Sequence, residues 1–158
     1  MVVYHGTPKP TIDLNPDNAH GTLWTTDNPE YAELFSDKGA VHKLEANMKN
    51  KLNMKSETEE LPLEEWINIL DEKGIDISDL DLEKMNWAPD YGLYTFYDLL
   101  PHAGNNYLDT GVLNKIKKAG YDSIIAPEEF QNKVGSKNTY VLLNKNIFKR
   151  IGEWSKGK

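Results

Sequence analysis

The two ends of this chain have the residue pattern of β-strands, whereas the middle has the pattern of helices. Runs rich in valine, isoleucine, threonine and aromatic residues occur in the first 50 residues and again beyond residue 120. Such runs are typical of strands. This order restricts the chain to a β-rich α+β architecture. We therefore predict one domain over residues 1–158, with a helical insert at 57–110 between the third and fourth strands.

Periodicity and capping signals predict the individual elements. Strands are predicted at residues 2–5, 23–26, 41–48, 121–126, 139–143 and 147–151. Asp27 is predicted to cap a short helix, because Pro29 and Glu30 follow it as in a capping box. A second helix is predicted from the apolar stripe Leu63, Trp66, Ile67 and Leu70, which ends before Gly74. Further helices are predicted near 79–86, after a Ser78 cap, and at 111–119.

Acidic residues are concentrated in the predicted insert. Residues 57–98 carry 13 acidic and 2 basic side chains, a net charge of −11, whereas the rest of the chain carries +4 and the whole chain −7. The acidic balance argues against direct nucleic-acid binding, which relies on basic side chains. We expect the insert to be the place where a macromolecular target docks, a protein with a basic surface.

Several kinds of site and location are excluded by what the sequence lacks. It contains no cysteine, which excludes disulfides and thiolate chemistry. No apolar run approaches the roughly 18 residues of a membrane span, and no secretory signal pattern is visible. The four histidines have no metal-ligand spacing, so no metal site is predicted. We expect a protein without membrane contact in the bacterial or host cytoplasm.

The first candidate site consists of Tyr4, His5, Gly6 and Thr7. A histidine at the end of a strand places an imidazole at the sheet edge. The glycine after it has no side chain, so a flat ligand can approach a backbone N–H. The alternative is an incidental histidine in a strand that leaves the sheet through a glycine turn.

The second candidate site consists of Thr25, Thr26 and Tyr31. Where a strand enters a capped helix, hydroxyls and helical N–H groups can hold phosphate or ribose. The Tyr31 ring lies one turn into the helix and can stack on a base or on nicotinamide. The alternative is a capped surface helix with Tyr31 in the core.

The third candidate is the pair Glu128 and Glu129, which follows a predicted strand and Pro127. A carboxylate just beyond a strand end can bind a ribose hydroxyl or stabilise an oxocarbenium ion. The alternative is a solvated turn, since adjacent glutamates are common on surfaces.

Four motifs, taken in order, resemble the ADP-ribosyltransferase fold of small bacterial and phage transferases, including the type found in phage polyvalent proteins. They are Val-Tyr-His-Gly-Thr at 3–7, Thr-Thr-Asp-Asn-Pro-Glu-Tyr-Ala at 25–32, Gly-Tyr-Asp-Ser-Ile-Ile at 120–125 and Tyr-Val-Leu-Leu-Asn-Lys-Asn-Ile at 140–147. The resemblance covers residues 1–50 and 112–151. It implies a split β-sheet core and an NAD-dependent mono-ADP-ribosyltransferase, a glycosyltransferase of the pentosyl class acting as a phage or bacterial effector.

The resemblance also implies how the cofactor-like substrate NAD would be held. His5 would contact the adenosine-side ribose and belong to the catalytic group. Gly6 would offer backbone bonds to the nicotinamide amide, with Tyr4 and Thr7 in support. Tyr31 would be the aromatic side chain that packs against nicotinamide.

The remaining roles implied by the resemblance concern hydroxyls and the catalytic acid. Thr25 or Thr26 matches the hydroxyl position of the second motif strand. Glu128 or Glu129 would bind the 2′-hydroxyl of the nicotinamide ribose. In many transferases the acid directly precedes the Tyr-Val strand, where this chain has Thr139. No Glu-x-Glu motif is present, so the resemblance does not imply arginine as the acceptor.

Two other functions remain open at this stage. The chain would be a catalytically weak NAD-binding protein if the fold is kept and turnover is lost, as Thr139 at the usual acid position suggests. It would be an acidic decoy if the charge of residues 57–98 blocks a basic partner. RNA 2′-phosphotransfer is less favoured, because only Lys9 lies near the first motif.

Overall fold

The computed structural model describes residues 1–7, 14, 22–34, 36, 40–80, 92–100, 111–127 and 138–155. Its contacts divide the chain into two compact units. One unit consists of Met1–Lys55 and Asp122–Lys158, and the other is the continuous segment Ser56–Tyr121. Along the chain, the second unit is therefore an insertion into the first.

Seven strands and three α-helices occur within the described residues. The strands are β1 (Val2–Thr7), β2 (Leu23–Thr26), β3 (Ala40–Ala46), β4 (Lys51–Asn53), β5 (Ser123–Ala126), β6 (Thr139–Leu142) and β7 (Phe148–Trp154). The α-helices are α1 (Pro29–Glu33), α2 (Leu63–Glu72) and α3 (Val112–Lys118). Short 3-10 helices cover Phe96–Leu99 and Lys145–Ile147. The α+β class predicted from the sequence is confirmed.

The seven strands form one sheet in the order β4-β5-β6-β2-β1-β3-β7. β4 and β5 are parallel, and all other neighbours are antiparallel. The resemblance implied a split sheet, whereas these strands are joined throughout. The pairing between β1 and β2 is nevertheless short, because a single register pair, Tyr4 with Thr26, joins the two strands.

Alternating residues of the central strands form the core of the first unit. Side chains of successive strand residues point to opposite faces, so the apolar positions of each strand gather on one face. The buried cluster there consists of Val3, Leu23, Leu44, Ala46, Tyr140 and Leu142. The opposite face of β1 receives α1, whose Ala32 backbone lies against Gly6.

Trp66 is the centre of the second unit. α2 buries Trp66 and Leu70 completely, each with 0% exposure. The Trp66 Nε1–H donates to the backbone carbonyl of Tyr94 at 2.8 Å, and its ring lies 6.0 Å from that of Phe96, centroid to centroid. The apolar stripe predicted for this helix is therefore its buried side.

The short strand β4 was missed by the sequence prediction. Lys51–Asn53 buries only Leu52, which is too little pattern to distinguish a strand from a loop. It pairs in parallel with β5, and the paired residues are 72 positions apart in the chain. The insert consequently lies between the fourth and fifth strands, and not between the third and fourth as predicted.

The predicted cap of α1 was wrong by one residue. The side chain of Asn28, and not that of Asp27, accepts bonds from the backbone N–H groups of Glu30 at 2.9 Å and Tyr31 at 3.4 Å. The reason is Pro29, which occupies the first helical position and leaves the residue before it as the cap.

Ser78 was predicted to cap a helix near 79–86. Its N–H and its hydroxyl both donate to the Asp76 carboxylate, at 2.9 and 2.6 Å, so its hydroxyl bonds to a residue two positions earlier in the chain. Most of the predicted helix lies outside the described residues. In the part of the chain that the structure describes, no helix has the length and apolar character needed to cross a membrane.

Candidate functional site

Three separate sequence motifs meet in one transverse row of the sheet. Register pairs join Tyr4 to Thr26, Thr26 to Thr139, and Thr139 to Ala126. Because directly paired residues lie on the same face, this row crosses β1, β2, β6 and β5 on one side. Two predicted site residues, Tyr4 and Thr26, are thus adjacent, and Thr139 follows next to them.

The predicted acids follow directly after this row. β5 ends at Ala126, and the buried Pro127 comes next. Glu128 and Glu129 lie outside the described residues. The chain is described again from Asn138, and Thr139 pairs with Ala126. Both ends of the segment that carries the two carboxylates are therefore fixed beside the row.

The side chain of His5 in β1 bonds to β2 just beyond the point where the backbone register of these two strands ends. Its Nδ1 lies 2.7 Å from the backbone carbonyl oxygen of Trp24 in β2. A carbonyl can only accept, so Nδ1 carries the proton, and the neutral ring then has an acceptor at Nε2. Burial lowers the pKa of His5, and the bond to Trp24 opposes this shift. The half-buried imidazole is thus held in one tautomer as a neutral acceptor.

Gly6 is required by the packing of α1. A Cβ built there would lie 1.8 Å from the carbonyl oxygen of Ala32 and 2.8 Å from its carbonyl carbon. Tyr31, the neighbouring helix residue, is 7% exposed. These facts agree with the core alternative for Tyr31, and they give the glycine a structural reason that does not involve a ligand.

The candidate threonines are buried and bonded within the sheet. Thr25 Oγ1 donates to the Tyr140 carbonyl at 2.8 Å, and Thr26 Oγ1 donates to the Asn138 carbonyl at 3.0 Å. Thr26 Oγ1 also accepts from the backbone N–H of Asn28 at 3.2 Å. Thr7 is buried as well, at 3% exposure. Both hydroxyls of the second motif therefore fasten β2 to β6.

Asp27 and Asn138 form a contact that the sequence analysis missed. The Asp27 carboxylate accepts from the Asn138 backbone N–H at 3.3 Å and from its side-chain Nδ2 at 3.2 Å. This contact holds Asn138 against the start of α1. Burial raises the pKa of Tyr140 beside it, and the Asp27 charge adds to that effect. Residues 111 positions apart offer no local signal for such a pair.

A second histidine, His42, was not predicted as a site residue. It is 3% exposed and lies directly opposite His5 in the β1–β3 register. Arg150 Nε donates to its Nδ1 at 3.0 Å, and Arg150 also bonds to Glu153 Oε1 at 3.0 Å. Burial lowers the pKa of His42, as does the Arg150 charge, while Glu153 raises it. Strand alternation with Leu44 could have placed His42 on the inner face, but not beside Arg150.

The His42 ring has a second, unusual feature. Its Nε2 is buried and has no hydrogen-bond partner in the described part of the chain. Within the same described residues, no group of three histidine, aspartate or glutamate side chains has a geometry suited to a metal ion.

No protein-family model matches the chain, and no curated protein sequence matches it. One solved structure, a crystal structure of an anti-CRISPR protein, is similar over 96% of this chain and 95% of that chain, with a TM-score of 0.48 and 17% sequence identity. A likeness at this level is too distant to transfer a fold family or an activity.

Proposed function

We propose that this protein is an NAD-dependent mono-ADP-ribosyltransferase that modifies a protein with a basic surface. The observation that carries the proposal is the transverse row Tyr4, Thr26, Thr139 and Ala126. These positions come from segments far apart in the sequence, and they are the segments whose motifs resemble the transferase family. Their convergence on one row supports a common site. His5 and Thr25, the chain neighbours of Tyr4 and Thr26, lie on the opposite face of the sheet.

The proposed reaction breaks the bond between C1′ of the ribose and the ring nitrogen of nicotinamide. The bonding electron pair leaves with nicotinamide, and positive charge develops at C1′. A lone pair of the acceptor then bonds to C1′, and the acceptor's proton passes to water. The carboxylate of Glu128 or Glu129 accelerates the reaction because it stabilises the developing charge more in the transition state than in the ground state.

In this proposal the NAD contacts differ somewhat from those implied by the resemblance. His5 Nε2 accepts a bond from a ribose hydroxyl, since its Nδ1 is committed to Trp24. Thr25 and Thr26 hold β2 against β6, and Tyr31 fixes α1 from within the core. The ligand is bound beyond the Tyr4–Thr26 pair, where the register between β1 and β2 ends.

A transfer assay with labelled NAD and cell lysate tests this function. The wild type is compared with Glu128→Gln and Glu129→Gln, which keep side-chain size and remove the charge. Glu60→Gln, at an exposed position of the insert, is the matched control. Loss of one electrostatic stabiliser typically lowers turnover about a hundredfold or more. We expect that loss for one of the first two variants and unchanged NAD consumption for the control.

The results distinguish a transferase from an NAD-binding protein that has lost turnover. If the wild type binds NAD but neither consumes it nor labels any protein, the chain is an NAD-binding protein without turnover. If labelling occurs and both glutamine variants retain it fully, the assignment of the acid is wrong.

A second candidate function is supported by the surface of the second unit. Residues 57–80 carry nine carboxylates and one lysine, and Glu64, Glu65 and Glu72 are exposed on α2. Within the described residues, Asp79 is the member of this group with an ion pair, to Lys115 Nζ at 2.8 Å. Such a surface attracts a basic partner by electrostatic steering. The protein would then act as a decoy that blocks this partner.

Binding of a lysine-rich peptide tests the decoy function. The combined change Glu64→Gln, Glu65→Gln and Glu72→Gln is expected to weaken binding and to reduce its dependence on salt. The comparison variant, His5→Ala with Glu128→Gln and Glu129→Gln, leaves this surface intact. Equal weakening in both variants would argue against docking on α2.

A further inference from the structure

The rings of His5 and His42 are bonded by residues on opposite sides of the β1–β3 pair. In the sheet, β2 and β3 flank β1, and β7 lies beyond β3. Trp24 of β2 bonds to the His5 ring, and Arg150 of β7 bonds to the His42 ring. The two residues are directly paired in the register, so both rings lie on the same face of the sheet.

The two bonds also determine where the protons lie. The guanidinium of Arg150 can only donate, so His42 Nδ1 has no proton and the neutral ring carries it on Nε2. The carbonyl of Trp24 can only accept, so the His5 ring is protonated on Nδ1 and offers a lone pair at Nε2. The pair thus combines one donor, His42 Nε2–H, with one acceptor, His5 Nε2.

The donor atom of this pair, His42 Nε2, differs from the two Nδ1 atoms, which are both hydrogen-bonded. His42 Nε2 is buried and has no partner among the described residues. An unpaired buried donor is costly, and native structures contain few of them. A hydroxyl is the smallest ligand group that accepts one bond and donates another, so it suits both histidine atoms at once.

We propose that His42 is a second ligand-binding histidine, which donates from Nε2 to a ribose hydroxyl of NAD while that hydroxyl donates to His5 Nε2. This inference rests on the proposed function for the identity of the ligand. It adds a binding residue that lies outside all four motifs. Since the donor is buried before the ligand arrives, binding includes a local opening that the new hydrogen bonds offset.

Nuclear magnetic resonance of protein labelled with ¹⁵N-histidine reports on this atom directly. The Nε2–H of His42 should give a resonance in the free protein, and addition of NAD should shift it strongly. An NAD analogue that lacks the 2′- and 3′-hydroxyls of the adenosine ribose should bind more weakly and leave the resonance near its free position. Arg150 bonds to the other nitrogen, so the Nδ1 signal serves as the internal reference.

Variants at His42 supply an independent readout by calorimetry. His42→Phe should raise the Kd for NAD about tenfold, which corresponds to the loss of about one hydrogen bond. His42→Gln places an N–H donor at the same distance along the side chain and should restore most of the affinity. Melting temperatures of both variants show whether the folded state is retained.

The outcomes distinguish this inference from the proposed function. If NAD binds the wild type, while the His42 resonance is unchanged and His42→Phe binds equally well, His42 is a structural residue only. If NAD does not bind the wild type at all, both the function and the role of His42 are wrong.

Discussion

Gly6 lies where α1 crosses β1, and there is no room for any side chain at that point. A Cβ would stand 1.8 Å from the Ala32 carbonyl oxygen, far inside van der Waals contact. From the sequence, the glycine after His5 indicated access for a ligand. The packing shows that the missing side chain lets a short helix approach the strand, and no local pattern distinguishes this use from the predicted one.

Replacement of Gly6 by alanine should therefore destabilise the fold. Overpacking of this kind costs about 3 kcal/mol, and thermal or denaturant unfolding measures it. Gly74→Ala is the control, because Gly74 has φ +81° and no atom within 4 Å of the added Cβ. There we expect only backbone strain, about 1 kcal/mol. An equal or smaller loss for Gly6→Ala would contradict the close packing of α1 on β1.

Thr25→Val separates a structural from a ligand-binding role of the second motif. The change removes the buried bond from Oγ1 to the Tyr140 carbonyl and should cost about 1 kcal/mol of unfolding free energy. The Kd for NAD should be unchanged when measured well below the melting temperature. Thr58→Val, at an exposed position, should affect neither quantity. A large rise in Kd with little loss of stability would assign the hydroxyl to the ligand.

At the scale of elements, the contact between β3 and β7 includes His42, whose neutral form is favoured by burial. His42 faces Arg150 and Glu153 from β7 and His5 from β1. Burial lowers the pKa of His42 below the ordinary value of 6.5, and the pKa of His5 is lowered in the same way. The unfolded chain therefore binds protons at a higher pH than the folded chain does.

Stability should consequently fall as the pH drops below about 6.5, because the unfolded state takes up more protons there. The decline continues down to the lowered pKa values of the folded state. His42→Gln removes one of these groups and should make the unfolding free energy less dependent on pH between 7 and about 5. Urea denaturation at several pH values measures this. A variant with the same slope as the wild type would show that His42 does not titrate on unfolding.

Helices and strands with a strong local residue pattern could be predicted from the sequence. Elements that form only through pairing with a distant strand could not. The apolar stripe around Trp66 and Leu70 predicted α2, and β2 was predicted at its exact bounds because its residues strongly favour strands. β4 depends on pairing with β5 across the whole insert, so three residues with one buried side chain gave no signal. Asn28 was missed as the cap because Asp27 is an equally good capping residue by type.

The candidate site was predictable only in part, for the same reason. Tyr4 and Thr26 lie in one row with Thr139 and Ala126, and Ala126 is two residues before Glu128. The engagement of Thr25 with Tyr140 and of His42 with Arg150 depends on register between strands about 110 residues apart. Such contacts carry no periodicity that a single sequence could display.

At the scale of the whole molecule, the uneven charge assigns the two proposed functions, NAD binding and target docking, to different parts of the chain. Most acidic residues belong to the inserted unit, while the sheet that carries the motifs is mildly basic. A mildly basic surrounding favours the dianionic pyrophosphate of NAD, and an acidic surface favours a basic protein target. Catalysis and target recognition would thus be encoded in separate stretches of the chain.

Mass spectrometry of a transfer reaction tests the central claim most directly. Purified protein is incubated with NAD and lysate, and both released nicotinamide and ADP-ribose attached to protein are quantified. We predict that nicotinamide is released together with covalent ADP-ribose on a lysate protein, and that Glu128→Gln with Glu129→Gln abolishes both. Absence of nicotinamide release and of any adduct with the wild-type protein, under conditions where it is folded, would contradict the proposed transferase activity.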